Sequence, residues 1–407
     1  MQDDDPFGIK REELIVRSGV RNVFTPHTPI DSLDLFRGRN KQVRQLLEQM
    51  NTPGQHALLY GDRGVGKTSL ANIVAVILSQ LVGGRLHRKR CDSGETFKTI
   101  VAKPLRAAGV QIDALTSTRR THKERAGGVK LLGVGGEMRS DRATVETFDA
   151  SIDLQPSIVA DYLHDHAGLL VIDEADAIPD AMDRRQLAEL IKLLSDSNSK
   201  LKVLIVGIAE TGGDLMGDHP SVQRCLKETK LDGMTDVELA AIITGGATEL
   251  DLTFQDGVVT RIVRVSGGYP HFTHLLALKC AEEAIADKRP TVTPHDLSEA
   301  IRSAVDDAEG TLSRTYLEAI RSYSTDMYRI VLVAAAAIST TEFTAGDLRT
   351  AIGTETGLEI KQNSLNNYLN RLVSDGQETV LRRLWKGVYR FNDPRMPPYI
   401  KIANKQV

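Results

Sequence analysis

The stretch HALLYGDRGVGKTS, His56 to Ser69, decides the fold. Its first six residues are a short apolar run closed by Gly61, the pattern of a buried strand, and an Ala-, Val- and Ile-rich helix reads from Lys67 through Leu78. Between strand and helix, Gly61, Asp62, Arg63, Gly64, Val65, Gly66, Lys67, Thr68 and Ser69 fill the phosphate-loop spacing. The glycines let the backbone wrap so that successive amides face phosphate oxygens. Lys67 supplies a mobile cation for the outer phosphates, Thr68 offers a hydroxyl to Mg²⁺, and the helix that starts here adds its positive end. The flanking strand and helix separate this loop from a chance glycine-rich turn. A bound nucleotide is expected.

Downstream, Ala167–Asp173 (AGLLVID) and Leu201–Ile208 (LKVLIVGI) are continuous apolar runs, as parallel strands covered on both faces should be. Strands alternating with helices predict a parallel α/β sheet. Asp173 ends its strand where a carboxylate can hold Mg²⁺ through water, and Glu174 beside it can orient and deprotonate an attacking water. The letters DEAD also occur in helicases, but no other helicase motif is legible. Upstream, a lead segment contains Pro26 and Pro29, and Leu46, Leu47 and Met50 suit one face of a helix.

With 407 residues, 41% apolar and 26% charged, the chain has room for two or three domains and excludes fibrous or wholly disordered architectures. Three dispersed cysteines exclude a disulfide framework and point to a reducing cytoplasm. The start, MQDDDPFGIK, is acidic rather than a leader, and the longest apolar run falls short of the ~20 residues a bilayer needs, so no membrane association is expected. The net charge of −3 hides two basic segments: Gly84–Lys130 carries +8 and the chain from Gly357 onward +5. They suit a polyanion, or are solvated surface loops.

Near Thr235 the texture changes. Thr235 and Glu238 make a capping box, HFTHLLALKCAEEAIA is a long helical pattern, and Thr293-Pro294 with Asp296 opens another helix. From Ser324 the order is helix, shorter helix, helix (KQNSLNNYLNRLVSDG), then strand-like ETVLRRLW and GVYRF turning at Lys386-Gly387, which predicts a winged helix-turn-helix. Leu365, Leu369 and Leu372 form the buried stripe of its third helix. Asn366 and Asn367 fall on the other face, where asparagine can pair with adenine, and Arg382, Arg383 and Lys386 on the wing can meet phosphates. Winged helices equally serve as protein contacts. The expected domains are a lead segment 1–29, an α/β domain 30–234 with a basic insertion at about 84–150, a helical lid 235–308 and a winged helix 309–407.

LFRGR, GDRGVGKTS, CDSGETF, LLVIDEAD, LIVGIAET, HPSVQR and SGGYPHF resemble, in order, the motifs of AAA+ ATPases of the initiator-like branch, grading into bacterial STAND ATPases. The resemblance covers about Phe36 to Ala286, with a C-terminal winged helix common to both groups. It implies ATP and Mg²⁺ held between the α/β domain and a helical lid, in sites that a neighbouring copy completes. It places Phe36, Gly38 and Arg39 in the adenine pocket, and Glu210 or Thr211 where the family keeps a γ-phosphate sensor, usually Asn. Arg224 falls where an arginine finger reaches a neighbour's phosphate, Pro270 at the start of the lid, and His271 at the place of the usual sensor arginine. The expected function is an ATP-hydrolysing switch that self-assembles and engages duplex DNA for replication, transposition or a related process. The rival is a signalling or defence switch whose winged helix and insertion hold an effector protein.

Overall fold

The computed structural model describes residues 19–82, 84–110, 154–209, 213, 222–307, 310–322, 325–373, 379–385 and 387–404. After helix α1 (Asn40–Asn51), strand β1 (His56–Gly61) runs into the phosphate loop and helix α2 (Lys67–Val82). Then follow β2 (Arg85–Arg90), α3 (Phe97–Ala107), α4 (Pro156–Leu163), β3 (Gly168–Asp173), α5 (Ala181–Asp196), β4 (Leu201–Ile208) and β5 (Leu226–Lys230). These five strands form one parallel sheet in the order β2-β3-β4-β1-β5. Its central strands alternate between two cores. Ala57, Leu59, Leu169, Val171, Leu204 and Val206 face one, whereas Leu58, Leu170, Ile172, Val203 and Ile205 face the other. Both faces are covered, which is why these strands read as unbroken apolar runs.

Residues 84–107, expected as the start of a basic insertion, are instead part of the α/β unit. RLHRKR forms β2 because only one edge of it must pair, with β3, and its charges project from the sheet border. Thr96 caps α3 with a full capping box, and Phe97, Ile100, Val101 and Leu105 fill the core behind it. The glycine-broken part of the expected insertion lies outside the described residues.

The helical unit holds α6 (Asp236–Glu249), β6 (Thr253–Phe254), α7 (Asp256–Ser266), α8 (Pro270–Ala286), β7 (Thr291–Val292) and α9 (Pro294–Asp307). Thr235 and Glu238 make the expected capping box, and Asp296 accepts from the Thr293 amide at 2.7 Å. After α10 (Gly310–Ile320) come α11 (Met327–Ala337), β8 (Glu342–Thr344), α12 (Ala345–Thr356), α13 (Gln362–Leu372), β9 (Leu381–Trp385), β10 (Val388–Phe391) and α14 (Met396–Ala403). β10 pairs antiparallel with both β8 and β9, giving the helices and hairpin the order expected of a winged helix. Leu365, Leu369 and Leu372 are buried as the periodicity requires. The unanticipated α14 buries Met396, Tyr399, Ile400 and Ile402 in the same core as α7 and α8. The C-terminal unit is thereby packed onto the helical one. None of the described helices is long and apolar enough to cross a membrane.

Candidate nucleotide site

A cleft of about 550 Å³ opens at the carboxyl ends of β1, β3 and β4. It is lined by the phosphate loop from Arg63 to Ser69, the lead segment Thr25–Ile30, Phe36, Arg39, Asp173, Glu174, Pro270, His271 and Arg395. β4 lies between β1 and β3, so the loop and the acidic strand end stand one strand apart. Gly61, with φ 150°, could not carry a side chain, because a Cβ there would lie 2.3 Å from the Leu231 carbonyl oxygen. Gly64 and Gly66 adopt φ 82° and 94°, as a loop turning its amides inward requires.

Lys67 is buried, and its ammonium donates to the carbonyls of Gly61 (3.0 Å) and Asp62 (2.7 Å). Desolvation lowers its pKa, against the pull of Asp176, Asp173 and Asp62. Burial raises the Asp173 carboxyl, while hydrogen bonds from Thr68 and the Glu174 amide (2.9 Å) pull it down. The Thr68 hydroxyl and the Asp173 carboxylate are therefore brought together as the sequence predicts. Glu174 sits in left-handed backbone (φ 56°) and is gripped from the end of β2, where Arg90 Nε and Nη2 donate to its two carboxylate oxygens at 3.0 and 2.7 Å. That bidentate bond holds the Glu174 carboxyl below its ordinary range. Arg90 was not singled out by sequence, because its strand, RLHRKR, has the charged composition of a solvated loop.

Other expected residues turn out to brace the cleft. The Ser69 hydroxyl accepts the Ile30 amide at 3.1 Å, and Asn72 reaches the Ile30 carbonyl, so the lead segment is fastened to α2. Arg39 is buried with left-handed backbone. It donates to Val65 O in the phosphate loop (3.3 Å) and to Asp232 O before the lid (2.5 Å), while its amide donates to Glu238 (2.7 Å). Gly38, Gly61 and Asp62 stand behind the lining; a Cβ on Gly38 would meet Met234 and Glu238. Phe36 lies against the core at the cleft wall. Pro270, at the first turn of α8, is 3.7 Å from where a Gly66 Cβ would be. His271 Nδ1 donates to Pro26 O at 2.7 Å, and its ring meets those of His27 and Phe272 edge-on. His274, behind it, is neutral: burial lowers it to about 4, and its Nδ1 accepts the Thr25 amide at 3.2 Å.

Arg395, just before α14, reaches this cleft from the other end of the chain. Its Cδ lies 3.0 Å from a Cβ position on Gly64, and it is held by Asp393 through Nε (3.0 Å) and Nη2 (2.7 Å). No local pattern announces it. Arg224 lies elsewhere: it precedes β5, beside Gln55 at the amino end of β1, exposed and ion-paired with Asp196. Glu210, Thr211 and Lys386 fall outside the described residues. In the C-terminal unit, Asn366 and Asn367 are exposed, and Arg383 donates to Asn370 Oδ1 and lies over the Tyr389 ring. Neither these residues nor Arg382 line the cleft.

The donor set fits a polyphosphate with one divalent cation. Arg37, Arg39, Arg63, Lys67, Arg90 and Arg395 line the cleft, against only Asp173, Glu174 and Asp176.

The sequence matches the family described as Novel STAND NTPase 1 (nSTAND1) over residues 27–352. Among solved structures, the Walker-type ATPase PABY2304 of Pyrococcus abyssi is similar with a TM-score of 0.53 and 17% identity, over 93% of this chain and 99% of that one. The ORC2 protein of Aeropyrum pernix, solved as ADPNP–ADP complexes, gives 0.51 and 17%, over 95% and 97%. At such identities the likeness is one of fold, that of a P-loop AAA+ ATPase. No curated protein sequence matches the chain.

Proposed function

We propose that this chain, which belongs to the Novel STAND NTPase 1 family, is an ATP-operated switch whose C-terminal unit reads the nucleotide. The observation that carries this reading is Arg395: a residue of the C-terminal unit stands on the phosphate loop at Gly64. A change of phosphate load or loop shape is then felt directly by α14 and the helices packed on it.

In this reading Lys67 balances the outer phosphates, and Thr68 with Asp173 holds Mg²⁺, which supplies further neutralisation of the phosphate charge. The lead segment and His271 enclose the base. Glu174 takes the proton of the attacking water once Arg90 releases it. Arg224 stands at the far end of β1, about 20 Å from its own loop at ~3.3 Å per residue, too far to act there, and in this reading it is offered to a neighbouring copy's site.

The test compares Lys67→Ala with Glu174→Gln. The first should lose nucleotide binding; the second should keep binding, lose turnover and elute as a larger assembly with ATP than with ADP. Native turnover by the Glu174→Gln protein would remove Glu174 from the role of base. A second reading, engagement of duplex DNA, is favoured by the exposed asparagines of α13, Asn363, Asn366, Asn367 and Asn370. The ATP-loaded Glu174→Gln protein is the reagent for it. Absence of salt-sensitive anisotropy on mixed-sequence duplex would leave a protein partner for the winged helix.

A further inference from the structure

At the opposite, amino-terminal edge of the sheet lies a second cavity of about 400 Å³, walled by α1, α2, the turn before β2, and the starts of β3 and β4. Met50, Pro53, Leu78, Ala167 and Leu169 give it an apolar interior. Three cations, Arg85, Lys200 and Lys202, also line it; Lys200 is paired with Asp165 outside it, and no carboxylate among the described residues lines the cavity. Lys202 is half-buried. Its ammonium donates to the carbonyls of Thr52 (2.6 Å) and Gln55 (3.2 Å), and desolvation lowers its pKa, with no acid among the described residues beside it to compensate. A half-buried cation without a counter-charge, on the wall of an apolar cavity, is costly unless an anion completes it.

We propose that this cavity binds a small amphiphilic carboxylate, its acid group on Lys202 and the neighbouring cations and its hydrocarbon body between Leu78, Leu169 and Met50. The size is that of an ordinary small-molecule site. The nucleotide switch plays no part in this inference, and the two are tested separately.

The experiment is calorimetric titration of the whole chain, without nucleotide, with straight-chain carboxylates from hexanoate to dodecanoate below their micelle concentrations. The matching alcohols are the controls. Saturable binding is expected, tightening about fourfold per added methylene, with each alcohol about tenfold weaker than its acid. Lys202→Met should bring the acid down to the alcohol and leave the alcohol unchanged. Because Lys202 also ties two carbonyls, Ser79→Phe is the companion variant. It fills the cavity from α2 and removes only a hydroxyl that bonds Val76 O within its own helix. It should abolish binding of acid and alcohol alike. Lack of saturable binding at every chain length, equal affinity of acid and alcohol, or binding untouched by Ser79→Phe would each overturn the proposal.

Discussion

Arg395→Ala tests whether the C-terminal unit is held at the nucleotide cleft by the contact described. Arg395 is almost wholly buried, and its two nitrogens grip the two oxygens of Asp393, whose side chain keeps a quarter of its exposure. Truncation removes the packing on Gly64 and leaves the Asp393 carboxylate without its cation. Breaking a fully buried pair costs about 3–5 kcal/mol. Here the penalty is smaller, because Asp393 stays partly wet and still accepts the residue-395 amide at 2.9 Å. About 2 kcal/mol is a fair figure, equivalent to about a 30-fold shift in the equilibrium between docked and released C-terminal unit. Native-state hydrogen exchange reads it directly: amides of α14 and of the loop Arg63–Gly66 should lose protection by about that factor. The double variant Arg395→Met with Asp393→Asn, which leaves no orphaned charge, should lose much less. Exchange in α14 and the loop unchanged within twofold in Arg395→Ala would refute the idea that this contact fastens the unit.

Two further outcomes follow from the same geometry. Arg90→Ala should free both oxygens of Glu174 and raise ATP turnover; the pair is largely exposed and worth at most ~1 kcal/mol, so the gain should not exceed about fivefold. A tenfold fall in steady-state phosphate release would instead make Arg90 a phosphate ligand. Acid should destabilise the protein between pH 6.5 and about 4, because His56 (lowered to about 3) and His274 (about 4) stay neutral when folded but take up protons when unfolded. Each Nδ1 accepts a backbone amide, from Val203 and Thr25 respectively, and protonation would break that bond. Stability is thus full above pH 6.5 and falls with pH by up to about 1.4 kcal/mol per unit for each histidine. Urea midpoints across that range should flatten in His56→Asn.

The elements legible in the sequence are those whose signal is local. A strand buried on both faces must be apolar at every position, so β1, β3 and β4 stand out, and the loop between β1 and α2 is fixed by glycines whose backbone angles other residues resist. The capping box at Thr235 likewise speaks through residues three apart. The border strands β2 and β5 were missed because RLHRKR and LKETK carry the charge of a sheet edge, and nothing in their composition distinguishes them from a solvated loop.

The same distinction runs through the cleft. Lys67, Thr68, Asp173 and Glu174 are set by short motifs, and the structure brings them together as read. What restrains them comes from far away in the chain: Arg90 on Glu174, Arg39 across Val65 and Asp232, Ser69 on Ile30, and Arg395 on Gly64. A lone arginine has no sequence pattern, since its partner is chosen by the packing of distant elements and not by spacing. Chemistry that any phosphate-binding loop can perform is therefore written locally, whereas control over when it runs depends on tertiary contacts. The burial of α14 against α7 and α9 is what carries Arg395 to the loop. Any device that lifts α14 must also lift that arginine from Gly64, and under the proposed switch this linkage is what would couple the nucleotide site to a unit whose exposed face lies elsewhere.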